Sequence, residues 1–219
     1  MVSISHVVED IVKHRPYLSE SLAAGIINVS SLARQLQPGV ERALKKEVNT
    51  GAIVMALNRL APYLQVKDRM QLDKLLSNMG DIILRSNLCD YTFKNSPTLM
   101  ECHIEVLKSL VRNDEVFYTL VQGVFETNLV ISDTMEEVIR EHFRDELCLF
   151  KQGGLSSVTL KLPKGNSIQP GFYYSIMKEL SWEGINLTEV ISSTNEFTVV
   201  VDNSLIDKTF VVLKNIGKH

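Results

Sequence analysis

Three cysteines, five histidines and a run of acids are the residues of this 219-residue chain best suited to covalent or metal chemistry. Cys89, Cys102 and Cys148 are odd in number and widely spaced, without a C-x-x-C pair. They read as reduced thiols of a cytoplasmic protein rather than a disulfide framework. His6, His14, His103, His142 and His219 stand apart from Cys or acidic partners at ligand spacing, so no metal site is expected. Neither a phosphate-binding G-x-x-x-x-G-K-[ST] nor a dinucleotide G-x-G-x-x-G occurs, so no cofactor is expected. Glu136, Glu137, Glu141, Asp145 and Glu146 read as a solvated helix face. With no nucleophile and base at recognisable spacing, no catalytic residue is assigned and the chain is expected not to be an enzyme. What remains is binding chemistry. Between Lys164 and Gly171, Gly165 and Gly171 allow backbone to come close to a ligand. A helix starting there would turn its N–H groups and the positive end of its dipole toward a carboxylate.

The elements that must position this loop occur twice, at an offset of about 69 residues. Cys89-Asp90-Tyr91-Thr92-Phe93 falls on Val158-Thr159-Leu160-Lys161-Leu162. Leu107 falls on Ile176, Val111 on Leu180, Val121 on Val190 and Asp133 on Asp202. Each copy reads as an alternating strand, an amphipathic helix, two strands joined by a turn, and a closing helix. The unit is a small domain, longer than the usual solenoid repeat. In the second copy the helix carries Phe172, Ile176 and Leu180 and stops at Gly184. Strands at Asn186–Ile191 and Phe197–Val201 follow, then a helix from Leu205 to Leu213 with Ser204 and Asp207 as its cap pair. Residues Lys151-Gln152-Gly153-Gly154 read as a linker between strands. A fourth strand is missing after the second copy, while apolar strands at 81–86 and 146–151 precede the two copies. The simplest completion has 146–151 closing the first domain and 81–86 closing the second, which interlocks them. A strand missing from the edge is the alternative, and would leave that edge unpaired.

This order is the ferredoxin-like βαββαβ pattern. Gly171-Phe172-Tyr173-Tyr174-Ser175-Ile176-Met177-Lys178-Glu179-Leu180, then Gly184-Ile185-Asn186, then Glu189–Ser193 and Phe197–Asp202, resemble an ACT domain of the aspartate-kinase type. The resemblance covers about residues 155–216 and extends more weakly to 81–152, without a kinase domain. It implies an α+β protein of tandem ACT-type domains at 81–152 and 153–219 that binds an amino acid or similar small effector and pairs as a homodimer through its sheets. It places the ligand on Gln169, Gly171, Phe172, Asn186, Ser192 and Ser193. The opposing reading is a polar hairpin and a dimer surface with no ligand. In the first copy the corresponding loop, Lys94-Asn95-Ser96-Pro97-Thr98, has no glycine and reads as structural.

Residues 1–78 form an N-terminal helical head. Asn28 or Ser30 caps a helix through Leu36, Pro38 starts another through Leu44, and Asn49 or Thr50 caps a third that ends near Pro62. Ile53, Ala56, Leu57 and Leu60 share a face of the third. The pair 31–36 and 50–60 is similar to a helix-turn-helix or winged-helix head, although twelve intervening positions exceed its 3–4-residue turn. In that reading Thr50, Asn58 and Arg59 meet DNA bases while Arg34, Lys45 and Lys46 hold phosphates. Residues 1–75 carry 10 Lys+Arg against 7 Asp+Glu, a net +3, whereas the remainder nets −6. The alternative is a packing or dimerisation cap with a solvated basic face. No run of apolar residues reaches the ~20 needed for a membrane span, and no secretory signal is evident. Three roles follow as expectations. They are a ligand-responsive DNA-binding regulator, a free-standing regulatory subunit of an amino-acid biosynthetic enzyme such as aspartate kinase, and a ligand-free dimerisation module.

Overall fold

A computed structural model describes residues 3–64, 68–110, 116–166 and 169–217. The chain divides into two compact units, residues 1–73 and 74–219.

In the first unit α1 (Ile4–Lys13), α2 (Pro16–Ala23) and α3 (Val29–Leu44) each pack on α4 (Thr50–Leu64). The face of α4 that is buried is Ile53, Ala56, Leu57 and Leu60, the set read from its 3.6-residue period. Val8, Val12, Ala33 and Val40 complete the core around it. Asn28 caps α3 through its side chain, accepting from the Ser31 amide at 2.9 Å. Pro38 does not start a helix; it lies inside α3. Its ring removes one rung of the backbone ladder. The apolar stripe Leu32, Ala33, Leu36 and Val40 runs through it and is buried as one piece, so packing holds the helix continuous. The link between α3 and α4 therefore shrinks to residues 45–49, and Gln37 closes it. The Gln37 amide donates to Glu41 Oε1 (3.1 Å) and to the Val48 carbonyl (2.9 Å), while Thr50 Oγ1 donates to Gln37 Oε1 (2.7 Å). A short α5 (Asp68–Ser77) spans the division between the units.

The second unit is a six-stranded antiparallel sheet in the spatial order β2 (Tyr118–Gln122), β3 (Glu126–Ser132), β1 (Ile82–Lys94), β4 (Cys148–Lys161), β6 (Glu196–Asp202) and β5 (Glu189–Ser192). The first copy comprises β1 (Ile82–Lys94), α6 (Leu99–Leu110), β2 (Tyr118–Gln122), β3 (Glu126–Ser132), a 3-10 turn and α7 (Glu136–His142). The second comprises β4 (Cys148–Lys161), α8 (Phe172–Trp182), β5 (Glu189–Ser192), β6 (Glu196–Asp202), a 3-10 turn and α9 (Ile206–Asn215). Asp202 rather than the Ser204–Asp207 pair caps this last turn, accepting from the Ser204 amide at 2.9 Å.

The constant offset of 69 becomes three. The last seven residues of β1 and of β4 have the same sequence of burial, ending at Lys94 and Lys161, an offset of 67 (161 − 94). The helices start 73 apart (172 − 99) and the last strands 70 apart (196 − 126). At the first strand the sequence register is thus two residues out, one full period of a strand, which leaves inward and outward positions unchanged. The counterpart of Val190 in the first copy is Leu120 rather than Val121, since Leu120 pairs Leu129 and Val190 pairs Val199. Val111 lies outside the described residues.

β1 and β4 are each shared. Ile82–Arg85 pair with Leu160–Ser157 of the second copy, and Asp90–Phe93 pair with Gln152–Cys148, the start of β4. Between these stretches the register slips. Asn87 (φ 60°) and Gly154 (φ 69°), again 67 apart, sit at the slip with left-handed backbone. Residues 151–154 are therefore part of a single strand, with a bulge, and not a linker. Leu88, Val130, Leu155 and Val200 form one buried cluster with members from both copies. Leu99 and Val106 of α6 pack with Cys89, Tyr91, Phe93, Leu129 and Ile131.

Candidate ligand-binding site

The loop from β4 into α8 is built around Asn166. Gly165 (φ 93°) and Gly171 (φ 85°) take backbone conformations that a Cβ disfavours. Between them Asn166 is only 5% exposed. Its Nδ2 donates to the Pro163 carbonyl (2.9 Å) and, across to the β5–β6 turn, to the Thr194 carbonyl (3.0 Å). Its Oδ1 is buried without a partner among the described residues. A buried amide oxygen left unpaired costs about 1–3 kcal/mol. At the end of the same loop α8 has Gly171 as its N-cap and no side-chain cap; of its first amides, that of Phe172 donates to the Gln169 carbonyl at 3.4 Å. The β5–β6 turn is drawn to the same place. The Leu162 amide donates to the Asn195 carbonyl (2.7 Å), and the Tyr173 hydroxyl lies 3.0 Å from Ser192 Oγ.

Of the six residues assigned from sequence, Gln169, Gly171, Phe172, Ser192 and Ser193 lie on this loop, the helix start and the facing turn. Gln169 is buried, its Nε2 donating to the Pro170 carbonyl at 3.3 Å. Phe172 is 1% exposed and belongs to the core, so its side chain anchors α8 rather than facing solvent. Asn186 is elsewhere. It precedes β5 while Ser192 ends it, six residues away, or on the order of 20 Å of extended chain. Asn166, which its sequence context marked only as part of a turn, is the side chain that ties this loop to the facing turn. Ser167 and Ile168 lie outside the described residues.

Asn186 instead lines an open cleft of about 490 Å³ with Asp90, Thr92, Gln152, Glu189 and Asp202. Asp90 is 2% exposed, and burial pushes its carboxyl up. The Asn128 amide bridges it to Glu189, with Nδ2 at 2.7 Å from Asp90 Oδ1 and 3.0 Å from Glu189 Oε1. Glu189 is raised too, first by burial and then by the charges of Asp90 and Glu126.

The counterpart loop in the first copy is filled. Ser96 Oγ and Thr98 Oγ1 each donate to the Glu146 carboxylate, to different oxygens and both at 2.6 Å, and Cys102 Sγ lies 3.7 Å from it. Ser96 Oγ also accepts from the Leu99 amide at the start of α6 (3.0 Å). These hydroxyls hold Glu146 below the usual carboxylate range. The acidic run is thus not one solvated face: Glu146 is bound, and Glu136 is paired with Lys151. Among the described residues no group of three or more His, Cys, Asp or Glu could hold a metal, and no helix is long and apolar enough to cross a membrane.

In the first unit Arg34, Lys45, Lys46, Asn58 and Arg59 are exposed. Thr50 is half-buried and its hydroxyl is committed to Gln37.

No family model matches the sequence, and no curated protein sequence matches it. Solved structures do match in fold. An aspartate kinase from Clostridium acetobutylicum superposes with a TM-score of 0.52 at 16% identity, over 63% of this chain and 34% of that one. The ligand-free regulatory subunit of aspartate kinase from Thermus thermophilus gives 0.50 at 10% identity, over 63% of this chain and 97% of that one. An aspartate kinase from Synechocystis gives 0.51 at 11% identity, over 64% and 27%. The matched part, somewhat under two thirds of this chain, has the fold of the regulatory (ACT) domains of aspartate kinases. It spans about a third of the Clostridium enzyme and nearly all of the Thermus regulatory subunit.

Proposed function

We propose that this is a regulatory, non-catalytic protein whose second repeat binds a small effector carrying a carboxylate and an amino group, an amino acid being the simplest. The observation that carries the reading is that one loop ends in a helix start without a side-chain cap and carries a buried amide oxygen with no partner among the described residues. The N-terminus of α8 at Gly171 receives the carboxylate. Asn166 Oδ1 accepts from the ammonium group. Gln169 and the Ser192–Ser193 turn close the sides, and Phe172 fixes the helix that presents the backbone donors. Binding is coupled to regulation only if the ligand favours one conformation by differential contact. The β5–β6 turn, tied to the loop by Asn166, is the element it would hold.

The test is a thermal-shift screen of the proteinogenic amino acids. At a concentration a hundred times Kd, binding adds about 2.7 kcal/mol to stability. At least one amino acid is expected to raise the Tm of the wild type while leaving Asn166→Ala and Ser192→Ala unmoved. A screen in which none of the twenty shifts the wild type sinks the proposal.

How the signal is passed on has two readings. The match to nearly the whole of a chain that is itself only a regulatory subunit favours a free-standing subunit that docks on a biosynthetic enzyme such as an amino-acid kinase. A pull-down from the native host that recovers no such enzyme counts against it. The DNA-binding regulator rests on the exposed Arg34, Lys45, Lys46, Asn58 and Arg59 alone. It requires salt-dependent retention on duplex DNA that Arg59→Ala weakens. Among the described residues the outer strands β2 and β5 each have one unpaired edge, which supports a homodimer through the sheets. Free thiols at Cys89, Cys102 and Cys148 support a cytoplasmic setting.

A further inference from the structure

The six-stranded sheet turns back on itself, and its strand order shows how far. Between β3 and β5 lie β1, β4 and β6, so in a flat sheet the two would stand about 19 Å apart. Yet Asn128 Nδ2, on β3, donates to Glu189 Oε1, on β5, at 3.0 Å. The face that curls inward is the one turned away from α6. Cys89, Tyr91 and Phe93 of β1 pack with Leu99 and Val106 of α6, so Leu88, Asp90 and Thr92, alternating with them, point the other way. Leu88, Val130, Leu155 and Val200 bury the inward face, and Ile191 of β5 packs against the same cluster. At one end of this apolar seam the contact becomes polar. The Asn128 amide gives one hydrogen to Asp90 Oδ1 (2.7 Å) and the other to Glu189 Oε1.

We infer that Asp90, Asn128 and Glu189 form a proton-controlled latch that closes the curled sheet and fixes β5 against the first repeat. One amide serves two carboxyl groups but brings no positive charge to balance them. The cleft they border supplies none: its charged lining is Asp90, Glu189 and Asp202, with no Lys, Arg or His among the described residues. Burial raises both carboxyls, and the charges of Asp90 and Glu126 raise Glu189 further. A proton on either group removes their repulsion and still leaves an oxygen to accept from the amide. The latch is therefore tight while one of them is protonated, and it loosens as pH rises through their raised values. Glu189 begins the strand that Ser192 ends. On the function proposed above for Ser192 and Ser193, the latch holds one end of β5 and the effector the other. By linkage, pH then changes the affinity for the effector, and the effector changes proton uptake at the latch.

The experiment is hydrogen–deuterium exchange of the full chain without ligand, read by mass spectrometry on peptides from β1, β3 and β5 and corrected for the intrinsic exchange rate. In the wild type, protection of β5 relative to β1 and β3 is expected to fall several-fold as pH rises from about 5 to 8. Glu189→Gln keeps an oxygen that accepts from Asn128 and carries no charge, so it should hold β5 protected across that range. Asn128→Ala should speed exchange of β5 at every pH while β1 and β3, paired with each other, keep theirs. The inference is overturned if wild type and Glu189→Gln show the same pH dependence. It is overturned too if Asn128→Ala leaves β5 as protected as in wild type, or exposes all three strands alike. If Asn128→Ala does not fold, the comparison of wild type with Glu189→Gln decides alone. Because no ligand is present, a failed amino-acid screen leaves the latch standing, and a flat exchange profile leaves the effector site standing.

Discussion

In the first repeat the turn from β1 into α6 is satisfied by hydroxyls and by Glu146, all from within the chain. In the second, the turn from β4 into α8 contains two left-handed glycines, a helix start without a side-chain cap and a buried amide oxygen without a partner among the described residues. The strands leading into the two turns have the same burial pattern, and each carries a left-handed residue at the equivalent position, Asn87 or Gly154. One scaffold therefore supports a closed and an unfinished version of the same junction. The difference comes from which polar groups a later segment brings, not from the sheet beneath. A closed junction contributes to stability; the unfinished one is where the proposed effector would bind.

The largest effect should come from removing what the repeats have in common. Leu155 is fully buried with Leu88, Val130 and Val200 from both repeats. Leu155→Ala is expected to cost about 2–5 kcal/mol and to lower unfolding of residues 74–219 as a single transition in calorimetry. Two separate transitions, only one of them shifted, would show that the repeats are independent and break the comparison.

Next in size is the response to pH. Hydroxyl donors lower the Glu146 carboxyl in the folded chain, so its contribution is complete above the ordinary carboxylate range and disappears as pH falls through its folded value. Burial raises Asp90, and burial with neighbouring charge raises Glu189, which reverses the sign. Their folded forms bind protons more readily, so stability rises as pH falls from neutral through their raised values. Tm measured from about pH 3 to 8 should therefore pass through a maximum in mild acid. In Glu146→Gln the acid-side fall is expected to be shallower. In Asp90→Asn the neutral-side fall should flatten, because an amide keeps the contact with Asn128 without burying a charge. A profile unchanged in both variants would assign the pH dependence to other groups.

The smallest effect is a rate. Cys148 is exposed, Cys102 is half-buried against Glu146, and Cys89 is buried. Burial and the Glu146 charge raise the Cys102 thiol, and burial raises that of Cys89. Maleimide labelling at neutral pH should therefore mark Cys148 first, Cys102 slowly, and Cys89 only on unfolding. Glu146→Ala should speed labelling of Cys102 and leave Cys148 unchanged. No acceleration would mean that the Glu146 carboxylate does not guard that helix start.

Much of this architecture was legible in the sequence, for a physical reason. Alternation at 158–162, the stripe of Phe172, Ile176 and Leu180, the buried face of α4, and Asn28 as a cap all depend on residues within one or two turns of each other. The rest depended on partners far away. Pro38 looked like a helix start because a proline's local preference is to open a helix, but the continuous buried stripe of α3 overrode it. Gly153 and Gly154 looked like a linker because glycine punctuates sequence, but pairing with β1 absorbed them into a bulged strand. Asn186 had the right amide yet stands at the far end of β5 from Ser192.

The sequence by itself determined the elements, their order, their duplication and the inward faces of strands and helices, because neighbouring side chains and backbone sterics set those patterns. Only the tertiary structure decided which polar atoms meet. Glu146 reaches Ser96 across 50 residues and Asn166 reaches Thr194 across 28. A hydrogen bond is satisfied by position in space, and spacing along the chain carries no trace of it. That is why the two loops, similar in place, could be told apart as filled and unfilled only after the sheet had brought their partners in.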